Sequence, residues 1–297
     1  MASGLDLSAL GAYTEEHGPS LVNKAVAQSR TLKYVSIQQG VKSAMIVDTV
    51  SSTIAVQAAA SGWNSSGTTA IAKVTLTATP YMIQNDLSMI AAEAKNLQYY
   101  TAAGSTGAYS STQLAVKLSE ELAEQVKLWN ENKFWDATGG IQYFMKTYSG
   151  SSAYNITANT YSAITSTNAV TLVDLMKANV PAPIRGSNNK LLFMGEDAFD
   201  NFVVNLKNSN YYHIDPTQEL DYEFKYLGIT CVGVAGLNNT NKMILTAKEN
   251  IWAITDNLSE SDKIDVFWDR GQNMVKQAAY WKFGSQIYFP DFCVMKH

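Results

Sequence analysis

Two stretches near the C-terminus decide the fold: GLNNTNKMILTAKENIWAITD at residues 236–256 and KIDVFWDRGQNMVKQAAYWKFGSQIYFPDFCVM at residues 263–295. The first predicts two strands, because apolar runs flank a polar turn at Lys248–Asn250. The second predicts further strands, since apolar side chains alternate with aspartates before a long run from Met274 to Phe283. The chain therefore ends in β-structure.

Strands and helices alternate immediately upstream of these stretches. KLLFMG (190–195) is typical of a short buried strand, and GITCVGVAGL (228–237) is apolar on both faces, as expected for a central strand. Residues 196–210 between them have apolar side chains at helical spacing, and so do residues 172–178. This order predicts a compact α/β or α+β unit over residues 166–254.

The longest helix is predicted at Ser111–Trp135, where an apolar stripe recurs at helical period: Leu114, Leu118, Leu122, Val126 and Trp129. Such a helix would be about 37 Å long at about 1.5 Å per residue. Gly139 and Gly140 follow its end. A shorter helix is predicted from Asp86, which suits the N-cap position, to about Gln98.

Residues 41–82 predict a long β-hairpin. Its second arm is KVTLTAT at residues 73–79, which alternates apolar residues with threonine, and a small-residue segment at residues 60–69 forms the turn. Neither arm has enough apolar residues to form a core, so we expect the hairpin to bury itself elsewhere, often on a neighbouring subunit. Residues 1–40 are expected to form an extended arm with at most one helix, near residues 20–29.

Charge is scarce in this chain. Its 297 residues include 22 basic and 26 acidic side chains, a net charge of −4, and a charged fraction of 16%, against roughly 25% in ordinary soluble domains. This composition excludes a basic protein that binds nucleic acid by neutralising phosphates. The N-terminus lacks the pattern of a signal peptide, and the two longest uncharged stretches, residues 49–72 and 147–173, are too polar to span a membrane.

Candidate catalytic residues are few. The three histidines are His17, His213 and His297, and no nucleophile-elbow, phosphate-loop or metalloprotease motif accompanies them. His213 and Asp215 are two possible metal ligands without a third, which favours a polar loop. The S-x-x-K spacing of Ser187 and Lys190 leads into a strand, so we interpret it as coincidence; Cys231 and Cys293 are expected to be buried free thiols. We predict no catalytic, cofactor or metal site, and a hydrolase built on His213 and Asp215 is the weakest alternative.

The order of the parts resembles that of a known family. The chain resembles the major capsid protein of tailed bacteriophages, the Hong Kong ninety-seven-type fold. The resemblance lies in the sequence of a loose arm, a hairpin without its own core, one very long helix, a compact α/β unit, and returning strands that end in G-x-x-I-x-F-P (284–290). The resemblance implies an α+β chain with five parts. These are an N-terminal arm at 1–40, an extended hairpin loop at 41–83, a peripheral domain at 84–165 with spine helix 111–135, an axial domain at 166–254, and a return to the peripheral domain at 255–297.

The resemblance also implies a function. The chain would be a structural, non-enzymatic subunit of an icosahedral shell, assembling with copies of itself into pentamers and hexamers around double-stranded DNA, which it would touch only non-specifically. A separate scaffolding protein and a portal would be its partners, no membrane would be involved, and assembly into the virion would take place in the host bacterial cytoplasm. Contacts between subunits are expected at Trp63, Asn64, Ser65 and Lys73 of the hairpin. The alternative within the virion is a tail-tube or decoration protein.

Overall fold

Two five-stranded sheets, a two-stranded hairpin and a 24-residue helix organise the chain. The computed structural model describes residues 30–53, 68–88, 111–148, 163–209, 222–256, 263–269, 272 and 274–296. The helices are α1 (Arg30–Tyr34), α2 (Ser111–Phe134), α3 (Ile141–Tyr148), α4 (Ala169–Ala178), α5 (Ala182–Arg185) and α6 (Glu196–Asn208). The strands are β1 (Ser36–Gln38), β2 (Ala44–Thr53), β3 (Thr68–Thr77), β4 (Thr79–Ser88), β5 (Lys190–Gly195), β6 (Glu223–Tyr226), β7 (Ile229–Val234), β8 (Met243–Ala247), β9 (Ile251–Thr255), β10 (Lys263–Asp269), β11 (Met274–Ile287) and β12 (Val294–Lys296).

The first sheet is built around β11. Its strand order is β1-β9-β11-β10, and β4 also pairs with β11. The length of β11 allows it to pair antiparallel with β4 along residues 274–283, with β10 along 274–280 and with β9 along 283–287. Its odd-numbered side chains from Val275 to Ile287 are all buried, so one face of the strand points into the core.

Helix α2 packs on that buried face. The rings of Trp129 and Trp281 meet edge to face with centroids 5.3 Å apart, and Tyr81 of β4 lies 4.2 Å from Trp129. The indole Nε1 of Trp281 donates a hydrogen bond to Asn130 Oδ1 at 2.9 Å, which satisfies a donor that would otherwise be buried without a partner. The predicted long helix is confirmed, and it ends one residue earlier than predicted.

The second sheet has the order β12-β8-β5-β7-β6, with β5 and β7 parallel. On one face, Leu192 and Met194 share a core with Phe199 and Phe202 of α6. On the other face, Phe193 joins the core of the first sheet, where its ring lies 5.3 Å from that of Trp135. The strands predicted at residues 190–195 and 228–237 and the helix between them are confirmed, and this shared core joins the two sheets.

The chain changes sheet at a place that the sequence did not indicate. The predicted strand, turn and strand of residues 242–256 are present, but β8 belongs to the second sheet and β9 to the first. The three-residue turn Lys248–Asn250 is therefore the crossing, a few residues before the boundary drawn at residue 254. The last strand, β12, also leaves the first sheet and pairs with β8, since Val294 fills the core of the second sheet.

Two predictions near the N-terminus need correction. The helix predicted from Asp86 is wrong up to Ser88, because Tyr81, Ile83 and Leu87 alternate along β4 and pack against the first core; residues 89–98 lie outside the described residues. The end of the predicted arm is part of the first sheet, since β1 pairs parallel with β9. The helix expected near residues 20–29 also lies outside the described residues.

Candidate assembly hairpin

The hairpin of β2 and β3 is the candidate functional element. The two strands pair antiparallel over ten residues each, from Ala44 opposite Thr77 to Thr53 opposite Thr68. Ten residues at about 3.4 Å each give the hairpin a length of about 34 Å. The predicted hairpin is confirmed.

The base of the hairpin packs in a small core that the first sheet of the same chain completes, so the hairpin finds part of the surface it needs within its own subunit. Leu76 is completely buried and clusters with Val41, Ala78 and Ile254, while Val47, Val74 and Trp252 pack around them. The partner, Ile254, lies 178 positions along the chain from Leu76, so the sequence pattern of the hairpin alone could not show it. One face of the hairpin is therefore fixed to the first sheet near its base.

Polar contacts fix the same base. The backbone N–H of Val41 donates to Thr255 O at 3.2 Å. The ammonium group of Lys282 donates to Lys42 O at 2.8 Å and to the carboxylate of Asp256 at 2.7 Å. Asp256 is only 5% exposed, so this charged pair is largely removed from water and is stronger than a surface pair.

Gly284 allows β3 to cross β11 at very short range. A Cβ atom at this position would lie 2.0 Å from Thr77 O, the last residue of β3. No side chain fits there, because ordinary carbon–oxygen contacts are about 3.3 Å or longer. Glycine is thus required by the close approach of two backbones.

The opposite face of the hairpin is exposed and partly apolar. Ile46 is 60% exposed and Ile71 is 67% exposed. Strand register places both on the same face as Asp48 and Lys73, which lie directly opposite one another. Exposed apolar side chains with polar groups beside them can form a contact surface for another protein.

The structure locates one of the four predicted contact residues. Lys73 lies exposed in the middle of β3, on the face that carries Ile71, whereas Trp63, Asn64 and Ser65 lie outside the described residues. Sequence reasoning missed Ile46 and Ile71 as contact candidates. The alternation along both arms could have indicated them, because it places both side chains on the face opposite Leu76.

A second exposed surface lies on the outer face of the first sheet. Met82, Phe267 and Tyr280 are exposed on β4, β10 and β11, and Phe267 and Tyr280 line an open groove of about 600 Å³. The ammonium group of Lys276 pairs with Asp269 at 2.7 Å beside them. This surface is more highly charged than the outer face of the hairpin.

The described residues hold no group of three or more His, Cys, Asp or Glu side chains that could bind a metal ion. His213 and Asp215 are not among them. The ammonium group of Lys190 donates to the carbonyl oxygens of Arg185 and Ser187, so it stabilises a turn instead of activating the Ser187 hydroxyl.

The thiols Cys231 and Cys293 are free and buried, as predicted. Burial raises the pKa of both, that of Cys293 to about 12, so both stay protonated and unreactive. In the part of the chain that the structure covers, no helix is long and apolar enough to cross a membrane.

Comparison with known proteins identifies the fold. No family model and no curated protein sequence matches the chain. Among solved structures, the chain is similar to a subunit of the satellite phage P4 procapsid, with a TM-score of 0.60, 10% identity and coverage of 93% of this chain and 89% of that one. The capsid of Myoviridae phage XM1 is similar at a TM-score of 0.58, with 9% identity and 90% of both chains covered.

The fold is that of phage capsid shell proteins. The predicted α+β phage capsid fold is therefore confirmed. The same fold occurs in the holo-SrpI encapsulin complex of Synechococcus elongatus PCC 7942, to which the chain is similar at a TM-score of 0.57 and 9% identity over 92% of this chain and 88% of that one. In each of these comparisons about nine-tenths of each chain is covered.

Proposed function

We propose that this protein is a structural subunit of an icosahedral phage capsid and has no enzymatic role. The observation that carries the proposal is the hairpin, which is held firmly at its base by Leu76, Lys282 and Gly284 while its outer face exposes Ile46 and Ile71. A fixed element with an exposed apolar face is suited to lie on a neighbouring copy. The similarity to capsid shell proteins supports this reading.

The hairpin would contact its neighbour mainly through its outer face. Burial of Ile46 and Ile71 supplies the attraction, at about 1.5–3 kcal/mol for each fully buried side chain. Asp48 and Lys73 would set the register of the contact, since charged groups contribute specificity more than affinity. Trp63, Asn64 and Ser65 would contribute further contacts from the turn side of the hairpin.

The two sheets correspond in this proposal to the two domains of the shell subunit. The first sheet with α2 would be the peripheral domain, and the second sheet with α4 and α6 would be the axial domain. Copies would assemble into pentamers and hexamers with the help of a separate scaffolding protein and a portal, in the host bacterial cytoplasm. A net charge of −4 suits a virion shell that encloses DNA without binding it tightly.

Microscopy of the purified full-length chain, alone and co-expressed with a scaffolding protein from the same phage genome, tests the proposal. Closed shells are the expected result. A monomer that stays unassembled at high concentration would overturn it. Stacked rings would favour the tail-tube alternative, and an activity that depends on His213 and Asp215 would favour the hydrolase.

A variant without residues 60–69 separates folding from assembly. These residues separate the two arms in the sequence, except that Thr68 and Thr69 begin β3, and they include neither Leu76 nor Lys282 of the base. We expect the variant to keep the circular dichroism spectrum of the parent chain and to form shells poorly. Normal shells from this variant would show that the distal hairpin is not needed for assembly.

A protein compartment of the encapsulin kind is a second candidate, because the encapsulin match is nearly as extensive as the phage matches. The contents of particles isolated from the native source distinguish the two. A capsid contains nuclease-protected DNA, whereas a compartment contains protein.

A further inference from the structure

The tight turn between β6 and β7 has an unusual residue at its tip. Tyr226 pairs with Ile229, and the two residues between them are Leu227 at φ 46° and Gly228 at φ 84°. Two consecutive positive φ angles define a type I′ turn, in which asparagine or aspartate followed by glycine is strongly preferred. Leucine is strained at the first position, because its Cβ crowds the backbone in the left-handed conformation.

The other non-glycine residues with positive φ have local reasons for it. Asn239 and Asn241 belong to the residue type that tolerates this conformation best. Tyr222 packs its ring 5.7 Å from that of Phe199 and beneath the guanidinium of Arg30. Leu227 has neither reason, since it is branched, apolar and 58% exposed. An exposed apolar side chain kept at a strained position points to a contact outside the single copy.

One other large apolar side chain of the second sheet and its helices is exposed among the described residues. It is Val204, on the outer side of α6 and 44% exposed. Asp200 lies one helical turn before it and is also exposed, next to the acidic first turn of the helix. Partial desolvation by the surrounding protein and the neighbouring carboxylates of Glu196 and Asp197 raise the pKa of Asp200, so a cation beside it would be stabilising.

The tip of the turn carries such a cation. Lys225 is exposed two residues before Leu227, and Tyr226 between them turns inward to pack 5.5 Å from Phe202 and to donate to Asp174 at 3.1 Å. The turn therefore presents Leu227 near a positive charge, whereas α6 presents Val204 with Asp200 one turn before it and the exposed Lys207 one turn after it. Asp200 is the group on this helix that matches Lys225 in charge, and in a single copy both side chains are left in water.

We propose that Leu227 of one copy packs against Val204 of the next copy, with Lys225 beside Asp200. The contact joins two different surfaces of the same chain, so it is a head-to-tail contact of the kind that closes into rings. The inference rests on the proposed shell function, which requires repeated contacts between copies, and it specifies one of them.

A cross-linking experiment tests the contact directly. The variant L227C/V204C, assembled into shells and treated with a short bifunctional maleimide, should give a ladder of covalent oligomers in denaturing gels. The native thiols do not interfere, because Cys231 and Cys293 are buried. The matched control is L128C/V204C, since Leu128 is similarly exposed, at 49%, but lies on α2, the helix that packs on the first sheet; it should give no ladder.

The outcomes separate the inference from the proposed function. Shells that form normally and give no ladder with L227C/V204C, or the same ladder with the control, overturn the Leu227 contact and leave the capsid proposal standing. If the parent chain forms no shells or rings under any condition, the proposed function fails and the inference fails with it.

A second variant, L227N, distinguishes a contact role from a structural one. Asparagine is the preferred residue at this turn position, so the melting temperature of the unassembled subunit should stay the same or rise by about 1–4 °C. Assembly should weaken in the same variant. A lower melting temperature together with normal assembly would show that Leu227 serves the subunit's own stability, and would overturn the proposal.

Discussion

The substitution Gly284→Ala should damage the base of the hairpin without changing any polar contact. The added methyl carbon would lie 2.0 Å from Thr77 O, so the two backbones must separate by about 1.3 Å to reach an ordinary carbon–oxygen distance of about 3.3 Å. Gly284 has no positive φ, so alanine meets no conformational penalty there and the cost is entirely steric.

The expected loss is large because the clashing atom belongs to the backbone and cannot rotate away. Overpacking of this kind costs about 2–3 kcal/mol, which lowers the melting temperature of a chain of this size by about 4–6 °C. Because Thr77 continues directly into the buried Leu76 and Ala78, the shift should also loosen the small core around Ile254. We expect G284A shells to be few or irregular.

Thermal unfolding of the unassembled subunit, followed by circular dichroism, measures this effect, and electron microscopy measures the shells. Gly186→Ala is the matched control, since Gly186 has φ −82° and open space where a Cβ would go; it should be neutral or slightly stabilising. If G284A has the same melting temperature as G186A and forms normal shells, the close crossing of β3 and β11 does not set the position of the hairpin.

Three further predictions concern the hairpin and the long helix. Ile71→Ser should leave the subunit as stable as the parent, because Ile71 is exposed. It should weaken the contact between copies about tenfold or more, as measured by light scattering during assembly. Unchanged assembly would count against the outer face of the hairpin as a contact surface. Lys282→Met should lower the free energy of unfolding by about 1–2 kcal/mol in urea unfolding, because it removes the ammonium group that is paired with the buried Asp256. The control, Lys276→Met, removes a more exposed pair on the same strand and should cost less than about 1 kcal/mol. Equal losses of stability in the two variants would refute the special role of the base. Burial by itself raises the pKa of Asp136, but hydrogen bonds from Lys133 and Thr138 outweigh it and lower the pKa to about 2. The stability that this carboxylate contributes is present above its unfolded pKa of about 3.9 and disappears as the pH falls toward about 2. The parent should therefore lose more stability than Asp136→Asn over that interval in acid unfolding. Parallel plots of unfolding free energy against pH for the two proteins would contradict the assignment.

Elements whose pattern is local could be predicted from the sequence. The apolar stripe from Leu118 to Trp129 repeats at the helical period, and the short runs at residues 190–195 and 228–237 have the apolar character of buried strands. The hairpin was also predictable, because each arm alternates and the segment between the arms is rich in small residues. These features need no knowledge of distant partners.

Features that depend on distant partners could not be predicted. Asp86 fits a helix cap as well as it fits an edge strand, and only its pairing opposite Lys276 of β11 decides for the strand. Leu76 has no visible partner until Ile254 is placed beside it. The sequence of the turn Lys248–Asn250 is compatible with flanking strands in one sheet or in two, so the sequence could not predict that the chain crosses between sheets here.

The contact surfaces were only partly predictable for the same reason. The family resemblance predicts Lys73 as a contact residue, and its exposure in the middle of β3 suits a contact. The alternation of the arms places Ile46 and Ile71 on one face, but the sequence does not show that the first sheet covers the base of the opposite face and leaves these two side chains exposed. Leu227 stands out only through its backbone angle.

Electron cryo-microscopy of particles assembled from the full-length chain tests the central claim most directly. We predict closed icosahedral shells in which the β2–β3 hairpin of each copy lies on a neighbouring copy, with Ile46 and Ile71 buried in the contact. Particles in which these two side chains face solvent, or a chain that remains monomeric at high concentration, would contradict the account.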